Sequence, residues 1–177
     1  YKDTMMEQLA NQGDGNYYYI DSLSEARKVF GKHLAGTLQV IAKDVKIQVE
    51  FNPSAVETYR LIGYENRDIA DRDFRNDTVD AGEIGTGHTV TALYDLVLSE
   101  TGSEDLATVR IRNKKPGPDS PAVEWMTAFE TSELKSAFSK STDDFQIAVA
   151  AAAFAELLRD SPYAAEIDWQ DLSALAA

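Results

Sequence analysis

Cysteine is missing from all 177 residues, so neither a disulfide framework nor a thiolate metal site can form. Histidine is nearly missing too. His33 and His88 stand alone, without a second histidine nearby in sequence, and each reads as a boundary residue rather than a base or a metal ligand. Positive charge is short: 17 Lys and Arg stand against 30 Asp and Glu, a net −13. That balance argues against nucleic-acid binding, which depends on clustered cations facing phosphates. The one compact basic cluster, Arg110, Arg112, Lys114 and Lys115, reads as the solvated face of an edge strand rather than an anion site. Long apolar runs are also absent. The greasiest stretch, Ile147 to Leu158, is mostly alanine and holds Glu156, far from the roughly 18 apolar residues of a membrane span. No membrane insertion is expected, and the acidity suits solubility.

What the chain does have is a period of two. Val45, Ile47, Val49 and Phe51 alternate with polar residues, as do Val90, Ala92, Tyr94, Leu96 and Leu98. This is the pattern of a half-buried antiparallel sheet. Leu38, Val40 and Ala42 follow the opposite parity, so a bulge or a sheet-switching bend is expected at Lys43-Asp44. Asn52-Pro53-Ser54 turns the chain, and strands are expected at 58–64, 89–98 and 107–112. Another carries Val123, Trp125 and Phe129 after the stiff Pro116, Pro118 and Pro121 loop. Ala81 to Gly87 reads as a turn, and 65–80 as an acidic loop. Strands and turns at this spacing suggest an immunoglobulin-like β-sandwich over 36–130.

The flanks are helical. Residues 3–12 read as the end of a helix capped by Gly13. The turn Gly13-Asp14-Gly15-Asn16 leads to a short strand from Tyr17 to Ile20, and Ser22-Leu23-Ser24-Glu25 forms a capping box. The helix it opens carries Leu23, Ala26, Phe30 and Leu34 on one face and ends near Gly36. One orphan strand between helices cannot make a parallel sheet. It is expected to pair with a sandwich edge or with a second copy, giving a homodimer through Tyr17 to Ile20. The chain opens at Tyr1 inside this helix and reads as a fragment of something longer. Residues 131–177 switch to helices. Ser141 or Thr142 caps the longest, with Phe145, Ala148, Ala152, Leu157 and Leu158 inward, and Asp168 opens a last one with Leu172 and Leu175. The fold class expected is α+β, with 1–35 a helix-strand-helix remnant and 131–177 a helical cap.

Candidate chemistry is thin. Asp68, Asp71, Asp73, Asp77 and Asp80 invite a calcium loop. From Asp71, however, the fifth position is Arg75 and the sixth Asn76, where such a loop needs Asp or Asn and then Gly. Gly82, Gly85 and Gly87 lead into a strand, not the helix that a phosphate loop opens. Ser132-Glu133-Leu134-Lys135 matches the S-x-x-K spacing of some serine hydrolases, yet Thr131-Ser132 is equally a helix start. Tyr17, Tyr18 and Tyr19 must alternate across a strand and suit an edge or interface. Trp125 and Trp169 suit a core, a lid or a partner anchor. No residue is assigned to catalysis, to a cofactor or to a metal.

Several stretches together resemble one family. They are Met6 to Ala10 with Gly15 to Asp21; Ala42 to Pro53; Tyr59 to Asn66; Asp80 to Gly85 with Gly87 to Tyr94; and Ala155 to Arg159. The chain resembles the C-terminal half of bacterial von Willebrand factor type A domain proteins that carry an uncharacterised domain after the A domain. The resemblance implies that 1–35 matches the last helix, strand and helix of the A domain. The metal-site motif Asp-x-Ser-x-Ser of that family is not in this chain, so no metal ligand carries over. It also implies an extracytoplasmic setting, periplasmic or lipid-anchored in the envelope. The function expected is a non-catalytic protein-interaction or scaffolding module with a protein partner. The alternatives are a serine hydrolase using Ser132 and Lys135, or a chaperone-like assembly factor.

Overall fold

The computed structural model describes residues 3–13, 15, 17–34, 39–63, 69–100, 102–165, 167, 169–170 and 172. Several expected features lie outside them: Asp14, Asn16, Gly36, Leu38, Tyr64, Asp68, Thr101, Asp168, Leu175 and the His33 side chain.

Helices and antiparallel sheets are mixed, as an α+β chain requires. Helix α1 (Asp3–Gln12) closes at Gly13, whose amide donates to the Leu9 and Ala10 carbonyls. Residues 17–20 run as irregular backbone outside both sheets. The expected strand from Tyr17 to Ile20 is therefore corrected. Helix α2 (Leu23–Arg27) is capped by Ser22, whose hydroxyl accepts the Glu25 amide at 3.2 Å. It continues as a π-helical stretch, Lys28–His33. Widening the turn to i→i+5 rotates the following side chains. Val29 is the buried residue here, while Leu23, Phe30 and Leu34 are exposed, against the expected face.

Strand β1 (Val40–Phe51) is continuous. Along its antiparallel pairing with β3 (Gly82–Gly85), Val40 meets Gly85, Ala42 meets Ile84 and Val45 meets Gly82. From Ala42 to Val45 is three steps on β1 against two on β3, so one residue is extra. The expected bulge at Lys43-Asp44 is present, and Asp44 holds φ 50°, a left-handed conformation that Asp tolerates better than most residues. Gly82 to Gly85, expected as a turn, is instead a short edge strand. The turn itself follows at Gly87, φ 78°. The remaining strands are β2 (Val56–Leu61), β4 (Tyr94–Leu98), β5 (Asp105–Lys114) and β6 (Ala122–Glu130). The 89–98 strand thus forms only from Tyr94 onward, and Val90 is exposed. The strand order is β3-β1-β5-β6 in one sheet and β2-β4 in the other.

The chain divides into two compact units. One comprises residues 1–49, 69–90 and 109–127. The other comprises 50–68, 91–108 and 128–177, and holds a small core of Ala55, Val56 and Leu106 against Phe51, Leu96 and Ala107. Phe51 packs its ring at 4.7 Å from Tyr59 and 5.2 Å edge-on to Tyr94. The Asn52 turn is tied as expected: its side chain accepts the Ser54 amide and donates to the Asp105 carbonyl. Helix α3 (Asp143–Leu158) starts at Thr142, whose hydroxyl accepts the Phe145 amide at 3.3 Å.

Candidate functional site

Alternation on β1, β5 and β6 sends even-numbered side chains to one face of the first unit's sheet and odd-numbered ones to the other. Lys46 and Gln48, Arg112 and Lys114, and Glu124 are all even. Each of them meets a residue of the segment 71–77, which opens with a 3₁₀ turn at Asp71–Asp73. Lys46 Nζ donates to the Asn76 carbonyl at 2.6 Å and Gln48 to Asp71 at 3.0 Å. Arg112 donates to Asp77 at 2.7 Å, and Lys114 Nζ lies 3.3 Å from the same carboxylate. Arg75 clamps Glu124 through two bonds, at 2.7 and 2.9 Å. The acidic segment is therefore a polar cover laid over the sheet.

Two expectations change. The basic cluster is not on an edge strand, because β5 sits between β1 and β6. Arg112 and Lys114 are half-buried partners of the acidic segment, not a solvated face. On β1 the apolar residue Ile47 is exposed while Lys46 is only 2% exposed. Asp44 completes the network: its carboxylate lies 2.9 Å from Lys114 Nζ and 3.3 Å from Lys46 Nζ. Both of its oxygens are buried without a well-aligned donor, so the pairing rests mainly on charge. The Lys114 amine is raised above its ordinary pKa, first by its close pairing with the Asp44 carboxylate, with burial opposing and Asp77 adding to the rise. Among the described residues no three His, Asp or Glu gather as a metal set.

The odd-numbered face of the same unit carries Ile47, Ile111, Val123 and Trp125, all exposed. At the edge strand β6 exposure extends to both faces: Trp125 is 66% and Met126 68% exposed. An edge strand usually carries charge or a proline to discourage pairing. β6 carries Glu124 and Glu130, but Glu124 is held by Arg75, and Trp125, Met126 and Phe129 are exposed beside them.

Among the described residues, the second unit has one buried charge. Glu156 is 2% exposed, although helix α3 was expected to turn Phe145 and Leu158 inward. Both of those are exposed. The Glu156 carboxylate accepts the Ser161 hydroxyl at 2.7 Å and lies 3.4 Å from Arg60 and 3.1 Å from Arg159. Arg60 in turn stacks 4.0 Å above the Tyr163 ring, and Arg159 donates to the Gly63 carbonyl. The Glu156 pKa is lowered, first by the Ser161 bond, against burial, then by Arg159 and Arg60. A carboxylate held ionised by two guanidiniums is a poor proton shuttle at neutral pH. It fastens β2 to α3 and the following turn.

Ser132 sits in a 3₁₀ turn, Thr131–Glu133, and its hydroxyl donates to Glu130 at 3.1 Å. Lys135 lies beyond that turn and is exposed, so the helical alignment that S-x-x-K requires is not formed. Trp169 is exposed and packs edge-on to Phe154 at 5.8 Å. His88 is half-buried at the turn after β3, its amide donating to the Gly85 carbonyl. The covered polar face was invisible in the sequence, because its partners lie more than twenty residues apart. The exposed edge was foreshadowed only by Trp125.

The family model described as "Uncharacterized protein YfbK, C-terminal" matches residues 36–104 and 98–177. The chain belongs to this family. It is 37% identical over 196 residues to the Uncharacterized protein YfbK of Escherichia coli strain K12, an alignment covering 99% of the chain and 33% of that protein. The chain thus spans about a third of the length of this YfbK relative. The YfbK C-terminal match begins at 36, just before β1, whereas the identity to the relative extends over the helices that precede it. No solved structure matches the chain.

Proposed function

We propose that this chain is a non-catalytic protein-interaction module of a larger bacterial protein, docking a protein partner along β6. The observation that carries this reading is the edge strand itself, with Trp125 and Met126 each about two-thirds exposed. Aromatic and methionine side chains on an open edge combine backbone pairing with apolar anchoring, the two components of strand addition. Among the described residues both buried charge clusters are engaged in holding the fold, which supports a structural rather than a chemical role for them.

Residues 1–35 are, in this proposal, the end of a von Willebrand factor type A domain, and the setting is extracytoplasmic. The proposal extends to an immunoglobulin-like sandwich over 36–130. It calls for seven strands in two facing sheets, beside the six described in sheets of four and two.

The test is affinity capture from a bacterial envelope extract, with residues 1–177 as bait beside a Met126→Lys variant. A protein held by the first and lost by the second supports the module. Equal capture by both removes β6 from recognition.

A further inference from the structure

We infer that β6 pairs with β6 of a second copy, antiparallel and centred on Met126, a proposal that rests on the reading of β6 as a docking edge. The direction of its backbone groups follows from two bonds. The Thr131 amide donates to the Glu104 carbonyl, next to β5, and the Glu130 amide turns the other way, to the Glu133 carboxylate. Alternation back along the strand points the backbone groups of residues 125, 127 and 129 at β5. Those of Glu124, Met126 and Ala128 point outward.

Centring on Met126 brings each outward residue against an outward residue: Met126 against itself, and Glu124 against Ala128. It also sets Glu130 against Ala122 and Val123 against Phe129. All nine residues of the strand face a residue of the second copy and each glutamate faces an alanine, although the Glu130 amide keeps its bond to Glu133 and adds none across the seam. The glutamates on neighbouring diagonals are moderated by Arg75, which already holds Glu124. Moving the centre to residue 127 places Glu124 directly against Glu130, like charge on like charge. Moving it to residue 125 leaves Glu130 and Phe129 unpaired and breaks the Val123–Phe129 contact. The strand is self-complementary in one register.

The lack of any cysteine makes the register directly readable. Val123 and Phe129 form a non-hydrogen-bonded pair with Cα atoms about 4.5 Å apart, within disulfide reach. Two copies of residue 123 are six residues apart along the strands, about 20 Å. Residues 1–177 are to be prepared as Val123→Cys, Phe129→Cys and Met126→Pro, alongside the parent chain. The parent chain is expected to sediment as a dimer at high concentration. A mixture of the two cysteine variants is expected to form the mixed disulfide, and neither variant alone to cross-link with itself. Met126→Pro removes an outward amide and leaves the bonds to β5, so it is expected to sediment as a monomer with an unchanged circular dichroism spectrum. Met126→Lys serves the same purpose if the proline unfolds the chain.

A monomer at every concentration overturns the inference, as does self-cross-linking of Val123→Cys as strong as in the mixture. A monomeric chain that still captures a protein, and loses it on Met126→Lys, refutes self-pairing alone. A monomeric chain that captures nothing refutes both readings.

Discussion

Lys46 is the residue on which the first unit's polar face turns. Its ammonium is buried between the Asn76 carbonyl and the Asp44 carboxylate. Truncating it leaves Asp44 short of one of its two cations and frees the acidic segment. Breaking a buried pair by removing one member costs about 3 kcal/mol, so Lys46→Ala is expected to lower the unfolding free energy read by urea denaturation by an amount of that order. Glu156 sets a pH dependence in the second unit. Its folded pKa lies below the ordinary value of 4.5. The stability it contributes is therefore present above that value and is lost as the pH falls through the lowered one. Glu156→Gln is expected to be less stable than the parent chain at neutral pH. The two are expected to converge as the pH drops well below 4.5, and unfolding midpoints across a pH series check this. Neither residue stood out in the sequence. A lysine or glutamate beside apolar neighbours reads as surface until distant partners, the Asn76 carbonyl for Lys46 and Arg60 for Glu156, are brought to it by the fold.

Elements were more legible where period and punctuation agreed. The parity change between Ala42 and Val45 announced the bulge of β1, and Thr142 before an alanine-rich run announced α3. Where the pattern was silent the elements differ. Gly82 and Gly85 disguised β3 as a turn, and the π-helical winding after Arg27 moved Val29 inward in place of Phe30. Two substitutions probe the legible elements. Thr142→Ala removes the hydroxyl that accepts the Phe145 amide and is expected to cost about 1 kcal/mol, read by chemical denaturation. Deleting Asp44 removes the extra residue, turning Lys46 to the opposite face and every later side chain of β1 with it. That deletion is expected to abolish cooperative thermal unfolding. Asp44→Gly keeps the left-handed backbone and loses only the carboxylate, so it is expected to fold with a lowered midpoint.

At the scale of the molecule, the account rests on an asymmetry within the first unit. One sheet face is covered by its own acidic segment, while the other, and the β6 edge, display Ile47, Ile111, Val123, Trp125 and Met126. The α+β class and the excess of negative charge were readable from composition and period. The covering of the polar face was not, since alternation says which residues share a face but not which face is covered. The most direct test is residue-resolved hydrogen exchange along β6 in a dilute solution of residues 1–177, where association is absent. Amides of residues 125, 127 and 129 are expected to be protected by β5, and those of Glu124, Met126 and Ala128 to exchange as open backbone. Equal protection of both sets in dilute solution would contradict the account, because it would mean that the chain already covers this edge itself.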